Sequence, residues 1–161
     1  IQPDSEWAAL REAQNKALHL CNTGMAVAID IGDANDIHPK NKQEVGRRLS
    51  LLALQKTYGK GKVTDIMSYK DYVVENDKVR LIFEGNTKGF QPSDLLTGFT
   101  IAGADHVFYP AKAQIKGNEL LVWSPDVSNP VAVRYGWADN PDCNLYDRTG
   151  FPVAPFRTDC W

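Results

Sequence analysis

The sequence predicts an α/β segment followed by an all-β, sandwich-like module. Residues 1–60 hold two of the sixteen aromatic residues and two of the nine prolines, and residues 61–161 hold the rest. Aromatic residues, β-branched residues and prolines in turns are typical of β structure, whereas the Ala, Leu, Gln and Glu of the first part favour helices. We therefore predict a boundary near Lys60-Gly61-Lys62 and two domains, 1–60 and 61–161.

Composition and charge argue against several classes of partner. The 161 residues carry a formal net charge of −2, so nothing indicates a nucleic-acid partner or an anionic membrane surface. No apolar run has the length of a membrane-spanning helix, and the first residues lack the pattern of a signal peptide. We expect an ordinary globular protein with no membrane partner.

The first predicted helix begins near Asp4 or Ser5, either of which can cap it, and ends before Gly24. Apolar residues recur within it at three- and four-residue steps, which indicates one buried face: Trp7, Leu10, Ala13, Ala17, Leu20 and Cys21. The place of Cys21 on this face predicts a buried thiol.

A buried strand and a second helix follow. Residues 25–29 form a continuous apolar run, which is typical of a strand buried on both faces of a parallel sheet. Residues 32–36 are rich in turn-forming residues and predict a loop. Pro39 suits the first turn of the next helix, and Gly59 ends it. The predicted inner side of this helix consists of Val45, Leu49, Leu52, Ala53 and Lys56.

The loop after the predicted strand carries groups suited to acid–base chemistry. Open α/β sheets place ligands and catalytic residues beyond the carboxyl ends of their strands. Asp33, Asn35, Asp36 and His38 lie there within six positions. An imidazole can act as a general base when a carboxylate holds its Nδ1, and an Asp a few residues earlier can reach that atom. The alternative is that His38 only caps the following helix.

A metal site is a further alternative for this loop, formed by Asp30 with Asp33, Asp36 and His38. Their spacing matches neither a calcium-binding EF-hand loop nor a zinc pattern. We therefore expect no metal and no cofactor.

Strand patterns dominate the rest of the chain. The predicted strands cover residues 78–84, 98–102, 107–109, 111–116 and 119–123, and the last two form a hairpin through Gly117-Asn118. Residues 131–135 alternate, which predicts a strand with one buried and one wetter face. The remaining tail, residues 137–161, is loop-like and must pack through its aromatic residues or stay loose.

Two features of this second part leave alternatives open. Arg134, Tyr135 and Trp137 either pack in the core or line a sugar site by stacking and hydrogen bonding. Cys143 and Cys160 lie in the tail, where a disulfide between them would pin it if the protein is extracytoplasmic.

Seven segments of the chain resemble the sialate O-acetylesterase family, in the same order. They are residues 7–14, 22–27, 35–49, 102–105, 133–137, 144–146 and 155–159. The resemblance covers essentially the whole chain and matches the C-terminal part of such an enzyme. It implies the end of a flavodoxin-like SGNH-hydrolase sheet joined to a β-rich region. It also implies hydrolysis of acetyl esters of sialic acids or related sugars, in an extracytoplasmic (periplasmic, secreted or lysosomal) setting.

The resemblance implies roles for individual residues. His38 matches the family's catalytic His. The wider SGNH pattern has an Asp three residues before that His, where this chain has Asn35. The supporting carboxylate is therefore Asp36, Asp33 or neither. Asn35 can orient the ring through its amide oxygen, but it cannot stabilise an imidazolium by charge.

The family's Ser nucleophile has no counterpart in this sequence. It lies in a Gly-Asp/Gln-Ser block, and the nearest string here, Gly32-Asp33-Ala34, has Ala in place of Ser. A Gly-x-Ser-x-Gly elbow is also absent. We expect the nucleophile to come from an N-terminal hydrolase segment or a second chain, and no significant esterase activity from these residues alone. The alternative is a non-catalytic carbohydrate-binding or scaffold module.

The α/β segment is too short to stand alone. Sixty residues with one strand do not make a doubly wound sheet, which needs several βα units. We therefore expect an exposed sheet edge and a half-built core in residues 1–60. Absent strands, or another copy of the chain in a homo-oligomer, would cover them.

Overall fold

The computed structural model describes residues 5–60, 66–85 and 89–161. Within these ranges, helices in the first part precede two antiparallel four-stranded sheets. This confirms the predicted fold class, an α/β-type segment followed by a sandwich-like β module. Gly61 and Lys62 lie outside the described residues, so the division into domains 1–60 and 61–161 stays a prediction. No helix among the described residues is long and apolar enough to cross a membrane.

Helix α1 spans Glu6–Lys16 and begins at a side-chain cap. Of the two predicted caps, Asp4 lies outside the described residues, and Ser5 makes the contact. Its Oγ accepts a hydrogen bond from Ala8 N at 3.0 Å, as expected for a serine at a helix start. A short 3₁₀ helix, Ala17–His19, continues the segment.

Helix α2 spans Lys42–Lys56. Asn41 caps it by accepting a hydrogen bond from Glu44 N at 3.1 Å. The prediction that Pro39 lies in the first turn is wrong, because the Asn41 cap starts the helix further along the chain. Gly59, with φ +59, closes the helix as predicted.

The apolar face predicted for α1 is wrong, and the one predicted for α2 is only partly right. Trp7 and Leu10 of α1 are 51% and 46% exposed, and Cys21, predicted to be buried, is exposed. In α2, Leu52 is buried as predicted and Arg48 is buried beside it, whereas Leu49, predicted to face inward, is exposed. The physical reason is that no described layer of the protein lies against these faces, so their apolar side chains remain in solvent.

Residues 25–29, predicted to be a buried strand, form no ladder within the described residues. These residues are only half-buried, because no described strand lies beside them. Among residues 5–60, Ala8 and Leu52 are the buried apolar side chains. This is the half-built core expected for the α/β segment.

The β module contains the strands β1 (Ser68–Glu75), β2 (Lys78–Glu84), β3 (Phe99–Ala102), β4 (Phe108–Pro110), β5 (Lys112–Lys116), β6 (Glu119–Trp123), β7 (Ala132–Tyr135) and β8 (Phe156–Arg157). One sheet has the order β1-β2-β6-β5, and the other has the order β4-β3-β7-β8. A single apolar cluster unites them: Leu81 and Leu120 come from the first sheet, and Ile101 and Tyr135 come from the second. All four side chains are fully buried, as in the core of a β-sandwich.

Most of the strand predictions are confirmed to within one residue. The predicted hairpin joins β5 to β6, with Lys116 paired to Glu119 and Gly117 at φ +65. The sequence pattern does not predict β1 or β8. Strand β1 carries charged residues on both sides of its few apolar ones, and β8 has only two residues, too few for any periodicity.

Strand β7 is buried on both faces, so the wetter face predicted for it is wrong. Arg134 on that face is only 4% exposed. It pairs with Asp159 at 2.8 Å, and its guanidinium lies 4.1 Å from the centroid of the Phe108 ring. Together with the buried Tyr135 and Trp137, Arg134 packs in the interior and does not line an open sugar site.

The tail packs against the sandwich through Leu145 and Val153, which belong to its apolar core cluster. All three cysteines are free, so the disulfide between Cys143 and Cys160 that the sequence left open is not formed in the structure. Cys160 is exposed, whereas Cys143 is largely covered, and burial raises the pKa of its thiol to about 11. The tail is therefore held by apolar packing and hydrogen bonds.

Polar contacts attach α1 to the β module. Ser5 Oγ donates to Asp139 Oδ1 at 2.6 Å, and Arg157 Nε donates to Glu12 Oε1 at 2.9 Å. Arg11 donates to the carbonyl oxygen of Ala138. These contacts hold the helical segment against the tail of the module.

Gly98→Ala is expected to destabilise the β module. Gly98 has φ +86, and an added Cβ would lie 2.8 Å from Cys143 Sγ and 3.0 Å from Asp142 O. We expect the free energy of unfolding to fall by about 2 kcal/mol or more, because backbone strain and overlap add. The matched control is Gly46→Ala in α2, where nothing lies within 4 Å of an added Cβ. In urea unfolding, the free energy of unfolding of Gly46→Ala should rise by about 0.5–1 kcal/mol. Equal effects of the two substitutions would contradict the close contacts at Gly98.

Candidate active site

The predicted acid–base loop is a compact turn between residues 25–29 and α2. Asp36 N donates to Asp33 O at 3.4 Å, and the two residues form an isolated bridge. Asp33 Oδ1 accepts a hydrogen bond from Asn35 N at 3.0 Å, the usual way an Asp side chain stabilises a turn. The backbone carbonyl and the Oδ1 of Asp33 therefore both accept hydrogen bonds from within the turn.

The structure brings His38 together with Asp36. Asp36 Oδ1 accepts a hydrogen bond from His38 N at 2.8 Å and lies 3.3 Å from His38 Nδ1. The His38 side chain is 79% exposed and that of Asp36 is 43% exposed. Within the described residues, Asp33 and Asn35 make no hydrogen bond to His38. Of the candidate supports for the ring, Asp36 is therefore the one that contacts it, while the catalytic roles of His38, Asp36 and Asp33 stay predictions.

The contact with Asp36 favours the tautomer of His38 that carries its proton on Nδ1. When a carboxylate accepts from Nδ1–H, Nε2 is left without a proton and can receive one. In a ring with this exposure, Nε2 is accessible to a group supplied from elsewhere. The arrangement can therefore provide a general base, but within the described residues it includes no nucleophilic hydroxyl or thiol.

A buried ion pair lies immediately before this loop. Arg48 donates two hydrogen bonds to the carboxylate of Asp30, each at 2.7 Å. The two side chains are 3% and 10% exposed. Arg48 also donates to the carbonyl of Val27 and, through Nε, to Glu44 Oε1 at 2.8 Å. One guanidinium thus joins α2, the segment 25–29 and the start of the loop.

Tyr146 in the tail of the β module completes this network. Its hydroxyl donates to Asp30 Oδ2 at 3.2 Å, across 116 positions of sequence. The sequence pattern predicted for Asp30 only a possible metal-ligand role and for Arg48 none. The available signal was Glu44 four residues before Arg48, a spacing that pairs side chains along a helix.

The charges of the network stabilise the ionised form of its carboxylates. Burial by itself raises the pKa of Asp30, but the hydrogen bonds and charge of Arg48, with a further hydrogen bond from Tyr146, hold that pKa below its ordinary value. The pKa of Glu44 falls to about 2, first because of its hydrogen bond with Arg47 and then because of Arg48. Both groups are carboxylates at neutral pH.

A groove of about 550 Å³ runs between α1, residues 25–37 and the tail. The side chains of Trp7, Leu10 and Ile37 line it and are largely exposed. The polar side chains of Asp33 and Asp36 line it as well. The groove therefore joins an unpartnered apolar surface to the candidate loop. Among the residues that the structure describes, no group of three His, Cys, Asp or Glu side chains could hold a metal ion.

Comparison with known proteins finds a strong similarity to a solved structure. No family model and no curated protein matches this chain. Among solved structures, a carbohydrate acetylesterase from Xanthomonas citri is 48% identical and superposes with a TM-score of 0.93. The match covers 98% of this chain and 37% of that esterase, so the chain spans little more than a third of the esterase's length. The chain is thus similar in sequence and fold to part of a carbohydrate acetylesterase.

Arg48→Met tests the buried ion pair. The substitution leaves the Asp30 carboxylate buried without its partner, which typically costs about 3–5 kcal/mol of unfolding free energy. The control is Arg47→Met, because Arg47 is an exposed partner of Glu44 and such pairs are worth about 1 kcal/mol or less. Chemical denaturation measures both variants. Similar losses in the two would show that Arg48 is no more important than a surface arginine.

Acidification should weaken the same network. Because the pKa of Asp30 is lower in the folded chain than in the unfolded chain, the unfolded chain takes up the proton first as the pH falls. The stabilisation is fully present above the unfolded carboxyl pKa, about 4, and is lost as the pH falls through the folded value. Asp30→Asn should be less stable at pH 7 and should lose less stability between pH 7 and the acid range. The measurement is the urea midpoint of the wild type and of Asp30→Asn as a function of pH. If the two midpoints fall in parallel with decreasing pH, Asp30 is not the group that loses stability in acid.

Proposed function

We propose that this chain is part of a carbohydrate esterase that hydrolyses O-acetyl esters of sialic acids or related sugars, with His38 as its general base and acid. The observation that carries the proposal is the contact of Asp36 with His38 Nδ1, in a chain 48% identical to part of a carbohydrate acetylesterase. The resemblance to sialate O-acetylesterases supports the narrower substrate class. The proposed location is extracytoplasmic.

His38 and Asp36 would act as two members of a Ser-His-Asp mechanism. His38 Nε2 removes the proton from a serine hydroxyl as its oxygen attacks the acetyl carbonyl carbon. His38 then donates that proton to the sugar oxygen as the ester bond breaks, leaving an acetyl-serine. Water, activated by the same nitrogen, releases acetate and restores the serine. Asp36 holds the ring and stabilises the imidazolium in both steps.

The serine would come from outside these residues, either from an N-terminal hydrolase segment or from a separate chain. Two observations support this. The chain spans 37% of the similar acetylesterase, and the candidate loop has Ala34 where the family's Gly-Asp/Gln-Ser block has its serine. The groove beside the loop, with Trp7, Leu10 and Ile37 on its surface, offers an apolar face for the missing part to cover.

A second candidate function is non-catalytic carbohydrate binding by the β module. A cavity of about 480 Å³ favours it, since Gln114, Asn118 and Asp94 line the cavity beside Phe90. Amide and carboxylate groups suit the hydroxyl groups of a sugar. Binding of acetylated sugars that persists without any turnover would favour this second function.

His38→Ala tests the esterase proposal in the protein at its full natural length. Hydrolysis of an aryl acetate and of 9-O-acetyl sialic acid should fall by about 10³-fold or more, because the base and acid of both steps is lost. His19→Ala is the matched control, since His19 is exposed at the end of the 3₁₀ helix and should leave the rates unchanged. Equal rates for the wild type and His38→Ala would refute the role of His38.

The same assay separates the two candidate carboxylates. Asp36→Asn should lower kcat by about 10²-fold or more, because its charge no longer supports the imidazolium. Asp33→Asn should change kcat by less than about tenfold, since the hydrogen bonds of Asp33 among the described residues all lie within the turn. The reverse order would assign the supporting role to Asp33. For residues 1–161 alone, we expect no significant turnover.

A further inference from the structure

We infer that Tyr146 is a positioning residue: through its hydrogen bond to Asp30, the β module holds the His38 loop in place. This inference rests on the proposed function, in which His38 is the base. The contact is Tyr146 Oη to Asp30 Oδ2 at 3.2 Å, and it links the tail of the β module to the first residue of the turn segment. No described strand pairs with residues 25–29, so side-chain contacts are what anchor this segment.

Tyr146 lies on a well-supported part of the tail. Its neighbours Leu145 and Asp147 are 1% and 0% exposed. Leu145 N donates to Tyr135 Oη at 3.0 Å, and Gln91 N donates to the carbonyl of Tyr146 at 2.9 Å. A hydroxyl on such a fixed backbone can define where its acceptor lies.

The acceptor is in turn coupled to the loop. Asp30 is held by Arg48, which also binds the carbonyl of Val27. Ile31 N, the next residue, donates to Ala28 O at 3.2 Å, so Asp30 lies inside a tight turn. A shift of Asp30 would therefore move the start of the loop that carries Asp36 and His38.

The Tyr146 hydroxyl remains a hydrogen-bond donor to Asp30 over the pH range in which the site would work. Burial, followed by the charge of Asp30, raises the pKa of its hydroxyl, which keeps its proton throughout the range in which a histidine base works. Both Asp30 oxygens already accept from Arg48, so the third bond adds orientation more than charge neutralisation. A positioning group of this kind acts on the rate of the chemical step, because small displacements of a base slow proton transfer.

Tyr146→Phe removes only the hydroxyl and is the variant that tests the inference. The matched control is Tyr109→Phe, because Tyr109 is also half-buried and its hydroxyl makes no hydrogen bond within residues 5–60, 66–85 and 89–161. Both substitutions are made in the protein at its full natural length, with His38 present and in the His38→Ala background. The measurements are kcat and KM for an aryl acetate, and amide hydrogen exchange of residues 27–38.

We expect Tyr146→Phe to lower kcat by about tenfold while KM stays within about twofold. Exchange of residues 27–38 should become faster, and the control should change neither quantity. In the His38→Ala background, Tyr146→Phe should cause no further loss, because its effect passes through His38.

Several results would overturn the inference. One is an unchanged kcat in Tyr146→Phe while His38→Ala has lost activity, which would leave the proposed function intact. Another is an equal fractional loss with and without His38, which would mean general destabilisation. Unchanged exchange of residues 27–38 would also overturn it, independently of any activity. Wild-type turnover by His38→Ala would instead refute the proposed function, and the inference with it.

Discussion

The ion pair between Asp30 and Arg48 is the interaction on which the candidate site depends. It joins helix α2, the unpaired segment 25–29 and the start of the loop, and Tyr146 ties it to the β module. Both partners are nearly buried, so each needs the other: an unpaired charge in that position would keep the full cost of its desolvation. This ion pair therefore anchors the segment 25–29, which pairs with no described strand.

The two parts of the chain are stabilised by different forces. The β module buries a continuous apolar cluster contributed by both of its sheets. Residues 5–60 bury only Ala8 and Leu52 among their apolar side chains, while Trp7, Leu10 and Ile37 remain exposed around a groove. Polar contacts, such as that of Arg157 with Glu12, fasten this segment to the module. An exposed candidate base on a segment with little core of its own is consistent with the proposal that another part of the protein supplies the nucleophile.

The sequence predicted structure correctly where alternating strand patterns were joined by residues that favour a turn. The hairpin at Gly117-Asn118 has two alternating strands and a residue that tolerates positive φ, and register follows from these alone. The loop that carries His38 and Asp36 was also predicted as a unit, because turn residues and a following helix delimit it. The helix faces were not predictable, because periodicity shows which residues share a face and not whether anything covers it. The sequence left the pairing of Cys143 and Cys160 open for a similar reason, since spacing along the chain does not set the distance between two thiols.

The sequence by itself determined the mixed fold class, the strands of the β module with clear alternation, and the candidate base His38 with its few possible carboxylates. Only the tertiary structure decided that Asp36 contacts the ring, that Arg48 is buried against Asp30, and that Tyr146 reaches the same carboxylate from the far end of the chain. The physical reason is that local patterns depend on neighbours along the chain, whereas the burial and pairing of a charge depend on groups that meet only after folding.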